Sequence, residues 1–292
     1  AASRRARRLA RNGRSDPRRA DIMTLNWRDD AVTVVAGNGL SLTEIAPGRV
    51  LATDRIVRTN NFFFEAEYYL GKRVDLAFIG GDPRVAPFVF ETLNRARSQY
   101  DLGTWSAPSD RVARIGQRFL DLPYHMRDLG GAEAAAELTK LEARYDARPS
   151  TGLQALLMAY GLGARRIILA GMDLYSGTRR YAYAPGPHQR DLLGHDLGTR
   201  AYDRRLHHPD LDRALLDWLA ARPGLSLWRA SNTSALTEVL DLAPERTGPA
   251  PETGPKPQIL DWADWAGWYP IALLKVLRRL RRWQQQITGS AS

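Results

Sequence analysis

Short apolar, β-branched runs alternate with helix-patterned segments along this chain, and that alternation restricts it to a mostly parallel sheet covered by helices on both faces. The run AVTVVA at Ala31–Ala36 has the composition of a buried parallel strand. Further strands are expected at Arg55–Arg58, Asp75–Ile79, Arg166–Ala170 and Leu225–Trp228, and helices at Gly131–Tyr145, Gly152–Leu162 and Leu211–Ala221. The fold class is therefore α/β. A length of 292 residues fits one large domain of this kind or two small ones, and there is no internal repeat.

The pattern fails at both ends. The first thirty residues carry no sustained apolar periodicity and read as a solvated basic arm, 1–30. Between Ala243 and Gln258 stand five prolines and two glycines, a composition that sustains neither a helix nor a central strand. Residues 244–258 are accordingly read as a linker closing the α/β domain at 31–243. In the last segment, 259–292, Trp262, Trp265, Trp268 and Tyr269 precede Pro270. A helix is expected after it, with Ile271, Leu274 and Leu277 on an apolar face and Lys275, Arg278, Arg279 and Arg282 mainly opposite.

The formal charge of +10 sits in these ends. Eight arginines and one acid within Ala1–Arg19 give +7, and Ile271–Ser292 gives +5, which leaves 10 − 12 = −2 for everything between. A near-neutral body without RRM, zinc-finger or helix-turn-helix signatures argues against a nucleic-acid partner. The basic, Trp-flanked helix suits docking to an anionic membrane surface, its alternative being packing on its own domain. No apolar run reaches the roughly 18 residues of a membrane span. The arginine-rich start lacks the apolar segment of a secretory signal, although a transit peptide shares its composition. Absence of cysteine excludes disulfides, thiolate catalysis and Cys-ligated zinc, and fits a reducing compartment.

Two strand exits are candidate ligand sites. Gly37, Asn38 and Gly39 follow the first strand, where glycines let backbone approach a ligand and a helix N-terminus offers free N–H groups. Ser41 and Glu44 have capping-box spacing for that helix. A tight turn without a ligand explains the same residues, and Leu42 breaks the dinucleotide fingerprint G-x-G-x-x-G. Gly171, Met172 and Asp173 form a second exit, and ligands of open α/β sheets gather at the carboxyl ends of strands. The histidines are His125, His188, His195, His207 and His208. None has zinc-protease spacing, and Asp210 and Asp212, after Pro209, read as helix caps rather than metal ligands. There is no nucleophile elbow and no phosphate-binding P-loop.

Four segments in order, AGNGLSLTEI (36–45), RTNNFFFEAEYYLGKR (58–73), RPSTG (148–152) and AGMDLYSGTRRYAY (170–183), resemble the bacterial sialyltransferases of glycosyltransferase family 42. The resemblance spans roughly Val32–Pro244. It implies a GT-A-like variant with a Rossmann-like sheet and a small lid around 174–210. It implies transfer of sialic acid from CMP-sialic acid to a galactose or sialic acid hydroxyl of lipooligosaccharide, with inversion, no metal and no other cofactor.

By the same resemblance Gly37, Asn38 and Gly39 meet the CMP portion, and Asn60 lies beside the donor. Ser150 and Thr151 hold the sialic acid carboxylate, with Arg148 nearby. Gly171, Met172 and Asp173 fall in the nucleotide pocket, and Tyr175 and Tyr181 hydrogen-bond the leaving phosphate. Two such phenols would supply the preorganised donors that a transferase without Mg²⁺ needs. The family's general base falls on His207, with His208 the neighbouring alternative; a histidine near its ordinary pKa suits the role. Departures are Arg204 in place of a tyrosine, and Gly80 and Gly81 after Phe78. The family also implies homo-oligomers, tetramers among them, and a protein peripheral on the cytoplasmic face of the bacterial inner membrane. The same residues accommodate a transferase of Kdo or another CMP-activated nonulosonate. A non-catalytic basic membrane- or nucleic-acid-binding protein is the alternative from another class.

Overall fold

The computed structural model of the chain describes residues 25–80, 83, 85–176, 179–194, 196–199, 202, 206–259, 265–266, 269–270, 272–273, 275–277, 279–280 and 283. The eight arginines within Ala1–Arg19, together with Gly81, His195, Arg204, Trp262, Trp268, Ile271, Leu274, Arg278 and Arg282, lie outside the described residues.

Six strands form one all-parallel sheet: β1 (Thr33–Ala36), β2 (Arg55–Thr59), β3 (Arg73–Phe78), β4 (Asp101–Ser106), β5 (Arg166–Ala170) and β6 (Ser226–Arg229), in the order β4-β3-β2-β1-β5-β6. Helices α1 (Ala86–Ala96), α2 (Asp110–Gly116), α3 (Gly131–Tyr145), α4 (Thr151–Gly161), α5 (Pro187–Leu193) and α6 (Pro209–Ala220) accompany it. This is the expected α/β, Rossmann-like arrangement. The pleat sorts the core: Val35, Val57, Leu76, Ile167 and Leu169 join the layer of α3, α4 and α6. Their chain neighbours Val34, Ala36, Ile56, Ile168 and Ala170 pack with Leu42, Val50 and Ala243, while Ala77 joins the aromatic layer under α1. Strands buried on both faces need no polar alternation, which is why their sequences read as continuous apolar runs.

Helix α4 begins where Ser150 Oγ accepts from the Leu153 N–H, and α6 begins at Pro209 behind His208, whose ring accepts from the Asp210 N–H. His208 is therefore the cap expected of the two aspartates. The capping-box helix expected at Ser41–Glu44 is instead a 3-10 turn, Leu40–Glu44, with Gly39 at its start and no side-chain cap. Ser41 turns its hydroxyl to Asp173, and Glu44 accepts from Thr233.

Two terminal readings change. The basic arm ends before Trp27, which is buried, bonds the Leu162 carbonyl through its N–H and lies under the Arg55 guanidinium. Residues 244–258 run along the domain as a strap. Prolines forbid regular structure there but not docking. Arg246 grips Asp54 (2.6 and 2.7 Å), the Ala52 N–H donates to Pro249, and the Tyr68 N–H donates to Gly254. Lys256 is buried and donates to the Phe63 carbonyl (2.9 Å). Beneath the strap, buried Arg58 pairs with buried Glu65 (2.7 Å), which also accepts from the Tyr100 hydroxyl (2.9 Å). Beyond it, the described residues within 272–283 are helical, Lys275 pairs with Asp191, and Leu273, Val276, Leu277, Leu280 and Trp283 are exposed. Among the described residues no helix is long and apolar enough to cross a membrane.

Candidate active site

Strand order reverses direction between β1 and β5, so the crevice outside their carboxyl ends is the topological switch point of the sheet. The two glycine exits meet there. The Gly37 N–H donates to the Ala170 carbonyl (2.9 Å) and the Gly39 N–H to the Gly171 carbonyl (2.8 Å), extending the β1–β5 pairing beyond both strands. A Cβ on Gly37 would strike the Gly171 carbonyl, and one on Gly39 the Asp173 carboxylate. Gly171 itself has φ +58°. Asp173 is held by the Ser41 N–H (3.0 Å) and hydroxyl, and Met172 lies under Gly152 at the start of α4. Asn38 donates through Nδ2 to the Thr59 carbonyl (2.8 Å) while its own carbonyl accepts from the Ala182 N–H (2.9 Å). Asn60, in the left-handed region at φ +48°, accepts at Oδ1 from the Gly80 N–H (2.9 Å), and Thr151 packs on the other side of Gly80.

A second wall comes from the entry to α6. The Arg148 N–H donates to the Leu206 carbonyl (2.9 Å), and the Arg148 carbonyl lies 3.0 Å from His207 Nδ1. A carbonyl can only accept, so Nδ1 carries the proton and Nε2 is the basic nitrogen of His207. His208 has the opposite tautomer, because its Nδ1 accepts from the Asp210 N–H (3.2 Å). Arg148 thus contributes backbone at this wall, and its side chain is exposed. Asp212, fully buried, accepts from the Ser150 N–H (2.9 Å), and burial pushes its carboxyl up to about 7 against the pull of the Ser150 bonds.

The His207 ring stacks on Tyr175 (5.9 Å between centroids, 24°). Leu174 and Tyr175 both have positive φ, +45° and +63°, a strained pair immediately after Asp173. The guanidinium of Arg180 lies 5.0 Å from the Tyr175 ring and 5.4 Å from the Tyr181 ring, and Tyr181 stacks on Tyr183 at 5.0 Å. Desolvation, with a smaller push from the Asp212 charge, raises the Tyr175 phenol well above its ordinary range, opposed by the charge of Arg180. Tyr68 and Tyr183 are core residues; Tyr183 accepts from Gln189 Nε2 (3.2 Å).

These contacts bring residues 37–39, 60, 148, 150–151, 171–173, 175, 181 and 207 together at the carboxyl ends of β1 and β5. Sequence reasoning missed two neighbours. Arg180 was passed over inside the tyrosine motif, and Asp212 was read as a local cap although its bond is to Ser150, 62 residues away. Among the described residues no group of three or more His, Asp or Glu is placed to hold a metal ion.

No protein-family model and no curated protein matches the chain. Solved structures do. The monofunctional α-2,3-sialyltransferase Cst-I of Campylobacter jejuni is similar at TM-score 0.70 and 20% identity, covering 89% of this chain and 98% of that one. CstII of the same organism, in complex with the substrate analogue CMP-3FNeuAc, is similar at TM-score 0.67 and 21% identity over 77% of this chain and 91% of that one. A CstII structure in complex with cytidine-5′-monophosphate gives TM-score 0.65 and 24% identity over 81% and 96%. The chain has the fold of the Campylobacter jejuni sialyltransferases.

Proposed function

We propose that this protein is an inverting, metal-independent sialyltransferase that uses CMP-sialic acid and a glycan hydroxyl. The observation that carries the reading is His207, its Nδ1 proton engaged by the Arg148 carbonyl and its ring stacked on Tyr175, at the switch-point crevice of a sialyltransferase fold. Nε2 takes the acceptor's proton as that oxygen attacks the anomeric carbon. The bond from the anomeric carbon to the phosphate oxygen breaks, and its electron pair leaves with CMP. Tyr175 and Tyr181 donate to that phosphate, and burial, by raising the Tyr175 phenol further, extends its O–H form into alkaline pH.

Asn38 and Gly39 border the nucleotide, and Asn60 braces the loop facing Thr151. Ser150 and Thr151 receive the sugar carboxylate at the N-terminus of α4, where helix N–H groups favour an anion. The solved relatives support the donor and acceptor classes: CstII is described with CMP-3FNeuAc, and again with CMP and a trisaccharide acceptor. The exposed apolar face of the C-terminal helix, beside its basic residues, supports docking at the cytoplasmic side of an anionic inner membrane, where a lipid-linked acceptor would lie.

The test incubates the protein in EDTA with CMP-sialic acid or CMP-Kdo and a panel of labelled lactose and sialyllactose acceptors, with products separated by capillary electrophoresis. The reading expects a sialylated product in EDTA. A product from CMP-Kdo alone would move the assignment to another donor, and no product from either would reject it.

A further inference from the structure

Among the described residues Arg180 is the one cation that lies over two aromatic rings. Its guanidinium lies over the rings of both Tyr175 and Tyr181, 5.0 and 5.4 Å from their centroids. Among the described residues no carboxylate pairs with it, unlike buried Arg58, which pairs with Glu65. An arginine fixed against two phenols, with no protein anion to neutralise it, has its charge directed at whatever those phenols address. The backbone of this segment is pinned: the Arg180 N–H donates to the Gly198 carbonyl (2.9 Å) and the Ala182 N–H to Asn38, tying it to the first glycine exit.

We propose that Arg180 is the cation of the leaving-group site, binding the nucleotide phosphate between Tyr175 and Tyr181. This rests on the sialyltransferase reading for the identity of the donor, but not for the phosphate contact itself. The charge balance explains why a cation belongs there. The donor's phosphate is a diester bearing one negative charge; when the bond to the anomeric carbon breaks, the electron pair goes to the phosphate oxygen and CMP departs as a dianion. A fixed positive charge gains attraction as that second charge develops, so it favours the transition state over the bound donor. Two neutral phenols can donate hydrogen bonds to the phosphate, but they do not match the added unit of charge. The planar guanidinium can engage two phosphate oxygens at once, which a lysine cannot reproduce.

Binding of cytidine and of CMP to the full chain, measured by isothermal titration calorimetry for wild type, Arg180→Gln and Arg180→Lys, separates phosphate recognition from nucleoside recognition. Wild type is expected to prefer CMP over cytidine. Arg180→Gln should cut that preference by about 10- to 100-fold with cytidine affinity unchanged, the loss of one charge-assisted contact. Arg180→Lys should keep an intermediate preference, and it stands in for the glutamine variant if that one does not fold. Transfer turnover should fall in the same order, with KM for the donor changing less than kcat. An unchanged preference in both variants, equal weakening of cytidine and CMP, or a wild type that does not prefer CMP would overturn the proposal. A wild type that binds CMP through Arg180 yet transfers no sialic acid would sink the donor reading while leaving this site in place.

Discussion

His207 and His208 are adjacent in sequence and the structure gives them opposite tautomers, so exchanging each for alanine contrasts the proposed base with a helix cap. His207 has its Nδ1 proton on the Arg148 carbonyl at 3.0 Å, leaving Nε2 as the base. Removing a general base costs typically about 10²- to 10⁴-fold in rate, or roughly 3–5 kcal/mol in the activation barrier. His207→Ala should therefore lose transfer by that factor while CMP affinity, set at the β1 and β5 exits and at the Arg180 phosphate site, stays within about twofold of wild type. His208 accepts the Asp210 N–H at 3.2 Å and caps α6. His208→Ala should lower stability by about 1 kcal/mol, a loss of around 2 °C in Tm for a chain of this size, with turnover nearly unchanged. Initial rates from a coupled CMP-release assay, with differential scanning fluorimetry on the same preparations, read both quantities. Equal loss of turnover in the two variants, or loss confined to His208→Ala, would refute the tautomer reasoning.

Asp212 has its carboxyl raised, so the folded state binds a proton that the unfolded chain releases near pH 4. That stability is present at low pH and is lost as pH rises from about 4 to about 7. Asp212→Asn keeps an acceptor for the Ser150 N–H without the buried charge, so its Tm relative to wild type should climb across that window; a difference that stays flat contradicts it. Arg246→Ala leaves the Asp54 carboxylate, 3% exposed, without its partner on the strap, and should cost about 3 kcal/mol, seen as a lower urea midpoint. A chain ending at Ile259, which keeps the strap, should lose the flotation with anionic liposomes expected of the full chain. Unchanged flotation would dismiss the C-terminal helix as the anchor.

Much of this architecture was legible because the physics behind it is local. β1 and β5 announce themselves as apolar β-branched runs, and each ends in glycines that only a close backbone crossing requires. Strand β4 (DLGTWS) escaped notice: Gly103 and its polar neighbours mask a strand whose buried half is only Thr104, Trp105 and Ser106. Helix α1 was also missed, although Phe88, Val89, Phe90, Leu93 and Ala96 form a buried face in the aromatic layer while Asn94 and Arg95 are exposed. Where tertiary partners decide, local reading erred. Asp212 sits in the first turn of α6, where acids are common, but its partner lies on another element. Prolines at 244–258 ruled out helix and strand correctly, yet said nothing about Arg246 and Lys256, whose partners Asp54 and Phe63 lie in the β1–β3 region. The opposite tautomers of His207 and His208 follow from hydrogen-bond partners that no local pattern carries, one of them 59 residues distant.

The central claim concerns a bond made and a bond broken, and proton NMR of one reaction mixture observes both. CMP-sialic acid, lactose and the protein in EDTA should yield CMP and a sialoside whose anomeric configuration is opposite to the donor's, in equal amounts and faster than the donor decays alone. CMP appearing no faster than without protein, or a sialoside of retained configuration, would contradict the account.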